Sequence, residues 1–99
     1  MDLYIGQIVL VRDHRAGIHV GTLLSVDLTS KNCILQNARK IWYWEGAASC
    51  HGIAAKGLCH TGSKVAPCVP VVASCDVVEI VVCTPEGATS VLNAPEWAP

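Results

Sequence analysis

The residues best suited to chemistry in this 99-residue chain form one short block of adjacent cations and aromatic side chains. Arg39 and Lys40 are followed, after Ile41, by an aromatic group made of Trp42, Tyr43 and Trp44. An indole ring offers area on which a planar base can stack, and Lys or Arg can form charge-assisted hydrogen bonds with a phosphate. The block therefore predicts a surface for a small nucleotide-type ligand, with Arg39, Lys40, Trp42 and Trp44 as its contacts.

A β-strand is the element that would position these side chains, since β-branched and aromatic residues favour strands. Alternate side chains of a strand project to opposite sides, so Lys40, Trp42 and Trp44 would share one side. The other side would carry Arg39, Ile41 and Tyr43. Tryptophan is also a frequent anchor in cores and interfaces, so the block could instead be buried in the protein or between subunits.

A second group of cations and imidazoles lies in and beside a polar turn near the N-terminus. The group consists of Arg12, His14, Arg15 and His19. Its position in and next to a loop makes it a candidate for further ligand contacts, because binding residues are often carried on loops. Residues at the tip of a hairpin are usually only solvated, however, and the sequence favours this second interpretation.

Six cysteines and four histidines suggest a zinc site or a thiol nucleophile, but their spacing argues against both. Structural zinc sites usually present ligands in pairs about two to four residues apart, whereas Cys50-His51 and Cys59-His60 are direct neighbours. Neighbours on a helix point about 100° apart. The chain also lacks a nucleophile elbow, a phosphate loop and a metal-binding helix pair. We therefore predict no catalytic residues, no metal, no cofactor and no enzymatic activity, with the cysteines as free, small, buried apolar residues.

Composition predicts a single domain, residues 1–99, that assembles with copies of itself. Hydrophobic residues make up 52% of the chain, which exceeds what so small a domain needs for its own core. The formal charge of -1 provides no field for long nucleic acid, so none is expected as a partner. The N-terminus lacks the basic residues of a signal peptide, and no apolar run could span a membrane. We expect a cytoplasmic protein without a membrane partner.

The rest of the chain predicts a scaffold of short elements. Strands are predicted at residues 5–12, 18–28, 33–36, 39–44, 69–73 and 77–83. Small residues from 45 onwards predict one short helix that ends at Gly57, and 60–67 is predicted as a loop. Thr84 followed by Pro85 is typical of a helix start, so a terminal helix is expected over 84–92, before a tail that docks through Trp97 or reaches a neighbouring molecule.

These elements predict a mainly β fold of the α+β class. The expected form is a small, strongly bent sheet or a partly open barrel of the Sm-like or src-homology type. One short central helix and one C-terminal helix complete it. Periodicity does not determine whether a sheet closes, so a flat α+β sheet is the alternative.

Three segments resemble a family of small, uncharacterised phage and prophage proteins. They are residues 17–23 (GIHVGTL), residues 37–49 (NARKIWYWEGAAS) and the C-terminal end, from Cys83 to Ser90 with Pro95 and Trp97. The resemblance implies a phage protein made in a bacterial host cytoplasm. By analogy with phage proteins that disarm host defence, it implies an oligomeric sponge that sequesters a nucleotide-derived signal. The competing expectation is a structural or protein-binding accessory factor whose aromatic block is a core or subunit-interface anchor.

Overall fold

The computed structural model describes residues 4–97. Residues 1–3, on which the expectation about a signal peptide partly rests, and residues 98–99 lie outside the described part. In chain order the elements are β1 (Ile8–Asp13), β2 (Gly17–Asp27), β3 (Asn32–Tyr43), α1 (Cys50–Lys56), β4 (Lys64–Val65), β5 (Val69–Ser74), β6 (Val77–Val82) and α2 (Pro85–Leu92). The predicted β-rich α+β class with two short helices is confirmed.

The six strands form one antiparallel sheet in the order β4, β3, β2, β1, β6, with β5 pairing separately with β3. Strand β3 is twelve residues long, so it can pair with both β4 and β5 in addition to β2. Its first part, from Cys33 to Ala38, pairs with β5, and its last part, from Ile41 to Tyr43, pairs with β4. The sheet does not close into a barrel.

Strand β3 unites two segments that the sequence predicts as separate strands, 33–36 and 39–44. At the junction Asn37 adopts a positive φ of 51°, a conformation that Asn tolerates better than most residues. Opposite this point the register with β2 shifts between Val20 and Thr22. One extra residue is therefore absorbed as an irregularity without ending the strand.

Two buried clusters lie on opposite faces of the sheet, because neighbouring strand residues alternate between them. The helix-side core packs under the helices and contains Leu10, Val20, Ile41, Ile53, Ala54, Leu58, Val65, Val91 and Ala94. The far-side core contains Val9, Val11, Leu23, Cys33, Leu35, Ala38 and Val77. In β1 the consecutive residues Val9, Leu10 and Val11 are all fully buried, so this strand is covered on both faces.

Helix α1 is shorter than the predicted segment because it begins only after Ser49, whose Oγ accepts a hydrogen bond from the N–H of Gly52 at 3.2 Å. Before Ser49 the chain is held by another contact, in which the N–H of Glu45 donates to Ser63 Oγ. The helix ends at Gly57, as predicted, where φ is 91°.

Helix α2 has the predicted start, with Thr84 Oγ1 accepting from the N–H of Gly87 at 3.0 Å and Pro85 in the first turn. It packs directly on α1: a Cβ at Gly87 would lie 2.1 Å from the carbonyl oxygen of Ala54. Only glycine allows this approach, which sets the two helices together over the sheet.

Strand β4 lies inside the segment predicted as a loop, and its two residues are too few to produce a sequence pattern. The C-terminal tail docks beside it. Val65 and Glu96 form a parallel bridge, and the N–H of Trp97 donates to the carbonyl oxygen of Val65 at 2.9 Å. Neither helix of the described chain has the length and apolar character that crossing a membrane would require.

Candidate functional site

The last part of β3 carries the predicted binding block and presents its side chains to two different environments. Arg39 and Ile41 face the helices and are buried, with 3% of each residue exposed. Lys40 and Trp42 project from the opposite face, as the alternation predicts. The two neighbouring cations are therefore separated by the sheet.

Arg39 is enclosed by backbone carbonyls from two distant segments. Its Nε donates to the carbonyl oxygen of Ala66 at 2.8 Å, and its Nη2 lies 3.4 Å from that of Val65. Nη1 contacts three carbonyl oxygens after and within the last turn of α2, at 2.6 to 3.3 Å, from Val91, Leu92 and Ala94. A cation is favourable at a helix C-terminus, where carbonyls lack intrahelical partners. Arg39 thus holds α2 and β4 to the sheet, and its donors are turned away from the open face.

Lys40 and Trp42 form an exposed cation–aromatic pair. Lys40 Nζ lies 4.1 Å from the centroid of the Trp42 ring, while 58% of Trp42 remains exposed. The lysine stem passes over the end of the β1–β2 turn, where a Cβ at Gly17 would lie 3.4 Å from Lys40 Cε. We call Lys40 and Trp42 the open-face pair. It offers a positive charge and an aromatic surface at one place.

His19 lies beside this pair, because β2 pairs His19 with Lys40. The residue is buried, and its Nδ1 has no hydrogen-bond partner among the described residues. Burial and the nearby Lys40 charge lower the pKa of His19, while Asp13 opposes the shift. The buried imidazole is therefore the cross-strand neighbour of Lys40, whose ammonium lies over Trp42, so three of the predicted contacts lie next to one another.

The prediction that Trp44 lies on the same side of the strand as Lys40 and Trp42 is wrong. The strand ends at Tyr43, so the alternation stops before Trp44. The Trp44 ring packs against the helix-side core, and its Nε1 donates to the carbonyl oxygen of Ala47 at 3.1 Å. This half-buried indole anchors the loop before α1. Of the two tryptophans in the block, Trp42 alone lies on the open face.

The other predicted cations do not converge on the open-face pair. Arg12 forms an ion pair with Glu79 at 3.3 Å, and His51 contacts the same carboxylate at 2.9 Å. Arg15 lies 3.6 Å from the carboxylate of Asp76 and is largely exposed. His14 is also exposed, and its backbone N–H donates to the Asp76 carbonyl oxygen at 2.9 Å. These residues line the turn and the β1–β6 side of the sheet.

Asp13 is a structural residue that the sequence analysis did not single out. Its carboxylate accepts from Ser74 Oγ at 2.5 Å and from the backbone N–H groups of Asp76, Arg15 and Ala16 at 2.8 to 3.0 Å. Burial by itself raises the pKa of Asp13, but these hydrogen bonds outweigh it and hold the pKa well below its ordinary value. The available signal was an aspartate at the start of a polar turn, which often binds its own following N–H groups.

A second aromatic–cation group was also missed. Lys64 Nζ lies 5.2 Å from the centroid of Trp97 and 6.0 Å from that of Tyr43. The three residues meet because β4 pairs with the end of β3 and the C-terminal tail lies along β4. The sequence did not predict this group, because its members are far apart in the chain and Lys64 was expected to lie in a loop.

The cysteines differ from the expected buried set. Only Cys33 is buried, and burial raises the pKa of its thiol to about 11. Burial also raises the pKa of the half-buried Cys83 to about 11, which keeps this thiol protonated and unreactive. The expectation of burial is wrong for the three exposed cysteines, Cys59, Cys68 and Cys75. Within residues 4–97 all six thiols are free, and no group of three potential metal ligands comes together.

Comparison with known proteins gives a family and no assigned activity. No curated protein and no solved structure matches the chain. One family model, described as a domain of unknown function (DUF6948), matches residues 6–91, which include all of the block and both helices except the last residue of α2. The chain therefore belongs to the DUF6948 family.

Proposed function

We propose that this protein is a phage-encoded, non-enzymatic binding protein that acts as an oligomer in the bacterial host cytoplasm. Its ligand would be a nucleotide-derived host defence signal, which it sequesters at the open-face pair. The observation that carries the proposal is a tryptophan left 58% exposed with a cation 4.1 Å from its ring. An exposed indole adds little to the core, so its contribution is better explained by an external contact.

The chemistry of the pair fits a planar, anionic ligand. A base can stack on the exposed ring surface of Trp42, and the Lys40 ammonium can leave the ring to bind a phosphate. The buried imidazole of His19 is the cross-strand neighbour of Lys40 and adds no second charge, so Lys40 and Trp42 supply the contacts to the ligand. None of these groups forms a nucleophile with a base, so the arrangement supports binding rather than turnover.

The alternative is a structural or protein-binding accessory factor, and it too has an observation in its favour. Arg39 and Trp44 are two of the four contacts predicted in the block, and both are committed to the helix-side core and to backbone carbonyls. In this alternative the open-face pair would be covered by another protein subunit, and no nucleotide would bind.

A ligand screen with matched variants separates the two functions. Cyclic dinucleotides, cyclic trinucleotides and ADP-ribose-type signals would be tested by thermal shift, and hits measured by calorimetry. Stacking on an indole contributes about 1–3 kcal/mol per base, so Trp42→Ala should weaken binding roughly tenfold to a hundredfold. Lys40→Ala should weaken phosphate-bearing ligands and make binding less sensitive to salt. Tyr43→Ala is the matched control, because Tyr43 is 50% exposed on the same strand and belongs to the Lys64 group.

The proposal requires that Trp42→Ala lose binding while its oligomeric mass stays the same. If no nucleotide in the screen binds, and if Trp42→Ala changes the mass instead, the pair is a subunit contact and the accessory-factor alternative is correct. Equal losses in the Trp42 and Tyr43 variants would place the ligand elsewhere.

A further inference from the structure

Strand β5 leaves one of its two edges without a strand partner in the described chain. It pairs with β3 from Cys33–Ser74 to Ala38–Val69 and with no other strand. Strand β4, which also pairs with β3, has its outer side bridged by Glu96 of the C-terminal tail. An unpaired strand edge presents backbone N–H and C=O groups that can pair with another chain.

The side chains of this edge carry no charge. Strand β5 reads VPVVAS, and Val71 is 59% exposed. Val69 is also exposed, as is Ile34 on the neighbouring part of β3. Proteins usually protect an exposed edge with charged residues, and here only Pro70 limits pairing by removing one N–H. An apolar edge of this kind is typical of a strand that is covered in the assembled protein.

Strand β6 is also an edge strand, since within residues 4–97 it pairs with β1 alone, but it is protected differently. It carries Glu79, whose carboxylate binds Arg12 and His51. Tyr4 and Leu28 border the same hollow as its exposed residue Val78. The two edges therefore have similar exposed valines, while only β5 lacks ionic groups.

We propose that β5 is the interface through which two copies of this chain assemble, by antiparallel pairing of β5 with β5 of the second copy. The pairing would join the two sheets into one continuous sheet across a two-fold axis. Between Val71 and Ser74, the alternate N–H groups that do not face β3 are available for this ladder. The exposed valines of β5 would pack against the β5 side chains of the second copy, and Ile34 would lie one strand further from the two-fold axis.

A second copy fits this edge better than a charged partner for reasons of charge and symmetry. In an isologous interface each side chain meets the same surface of its partner, so a charged edge would repel itself. The uncharged β5 edge avoids that repulsion and offers nothing to attract an acidic or basic peptide. The 52% hydrophobic content of the chain points in the same direction, toward a buried apolar contact between copies.

Molecular mass in solution tests the proposal without reference to any ligand. Sedimentation and light scattering of the full chain at micromolar concentrations should give about twice 10.5 kDa, or a multiple of that dimer. Val71→Lys and Ala73→Lys each place a charge on the β5 edge and should halve the mass while the circular dichroism stays native. Val78→Lys is the matched control, because Val78 is 53% exposed on the β6 edge, and its mass should equal that of the native chain.

Amide hydrogen exchange of the native chain provides a measurement that does not depend on variants. Amides of Val71 to Ser74 that face away from β3 should exchange more slowly as the protein concentration rises. A native mass of 10.5 kDa throughout the concentration range would overturn the proposal. So would a larger mass that both β5 variants retain. Fast exchange of the outward-facing β5 amides at concentrations where the mass is that of the dimer would also overturn it, and an extended peptide of another protein would then be the occupant of this edge.

Discussion

Arg39 and Lys40 are neighbours in β3 but lie on opposite faces of the strand, and they differ in burial and in their contacts. On the helix-covered face Arg39 is 3% exposed and binds the carbonyls of two distant segments. On the open face Lys40 lies over an exposed tryptophan and binds no backbone carbonyl among the described hydrogen bonds. The difference follows from what covers each face, since α2 ends above Arg39 and leaves carbonyls that need donors.

The comparison shows that neighbouring cations of one block can differ in role. Arg39 stabilises the packing of α2, while Lys40 remains accessible to the proposed ligand. The planar guanidinium has five N–H donors, which suits the several carbonyls around Arg39. An ammonium on a flexible stem can move between an aromatic ring and a ligand, which suits the open face. The two roles can therefore be separated by substitution, and the following predictions do so.

Arg39→Ala should have the largest effect, a loss of about 4 kcal/mol in the free energy of unfolding, because several buried carbonyls lose their donor together. Arg39→Lys should lose less, since it keeps the charge but not the fork of donors. Lys40→Ala is the control from the open face and should cost under about 1 kcal/mol. Urea denaturation measures all three, and equal losses for the Arg39 and Lys40 alanine variants would abolish the contrast between the faces.

Asp13→Asn should have the next largest effect, on the order of 3 kcal/mol, because a charged acceptor of four hydrogen bonds is lost. The pKa of Asp13 is lowered in the folded protein from its ordinary value of 3.8. Its stabilisation is therefore complete above that value and is lost as the pH falls below it. Unfolding measured from neutral to acidic pH should show this loss in the native chain. In Asp13→Asn the acid-dependent part should be smaller, and an unchanged pH profile would contradict the assigned role.

The smallest predicted difference concerns the two tryptophans of the block. Trp44→Ala should cost about 2 kcal/mol, because a half-buried ring and its bond to Ala47 are lost. Trp42→Ala should cost less than about 1 kcal/mol, since most of the ring is already in water. Thermal unfolding of both variants at one protein concentration tests this, and a Trp42 variant that is the less stable of the two would reverse the assignment of the faces.

Sequence reasoning could predict the sides of Arg39, Lys40 and Trp42, because strand alternation depends only on local geometry. It could not predict which side the helices cover, which depends on the distant pairing of β3 with β4 and on the end of α2. It also divided β3 at Asn37, since a residue with positive φ usually marks a turn. Trp44 was misplaced because the end of a strand is less certain than its existence.

The missed residues share one physical cause, the distance along the chain between the partners. Asp13 meets Ser74, which lies 61 residues away, and Lys64 meets Trp97 through a two-residue strand. Local patterns carry no information about such contacts. The helix start at Thr84 was predicted because a cap and its N–H partner lie within one turn, whereas the cap at Ser49 was missed.

The buried guanidinium of Arg39 also has a consequence for how the molecule opens. Its hydrogen bonds reach residues between 26 and 55 positions further along the chain, so they form only when three separate segments have come together. If α2 detached alone, the Arg39 guanidinium would keep the carbonyls of Val65 and Ala66 but lose the three acceptors of its Nη1 together, at a cost in free energy. The C-terminal helix and the central strand should therefore open in one cooperative step rather than by fraying from the end.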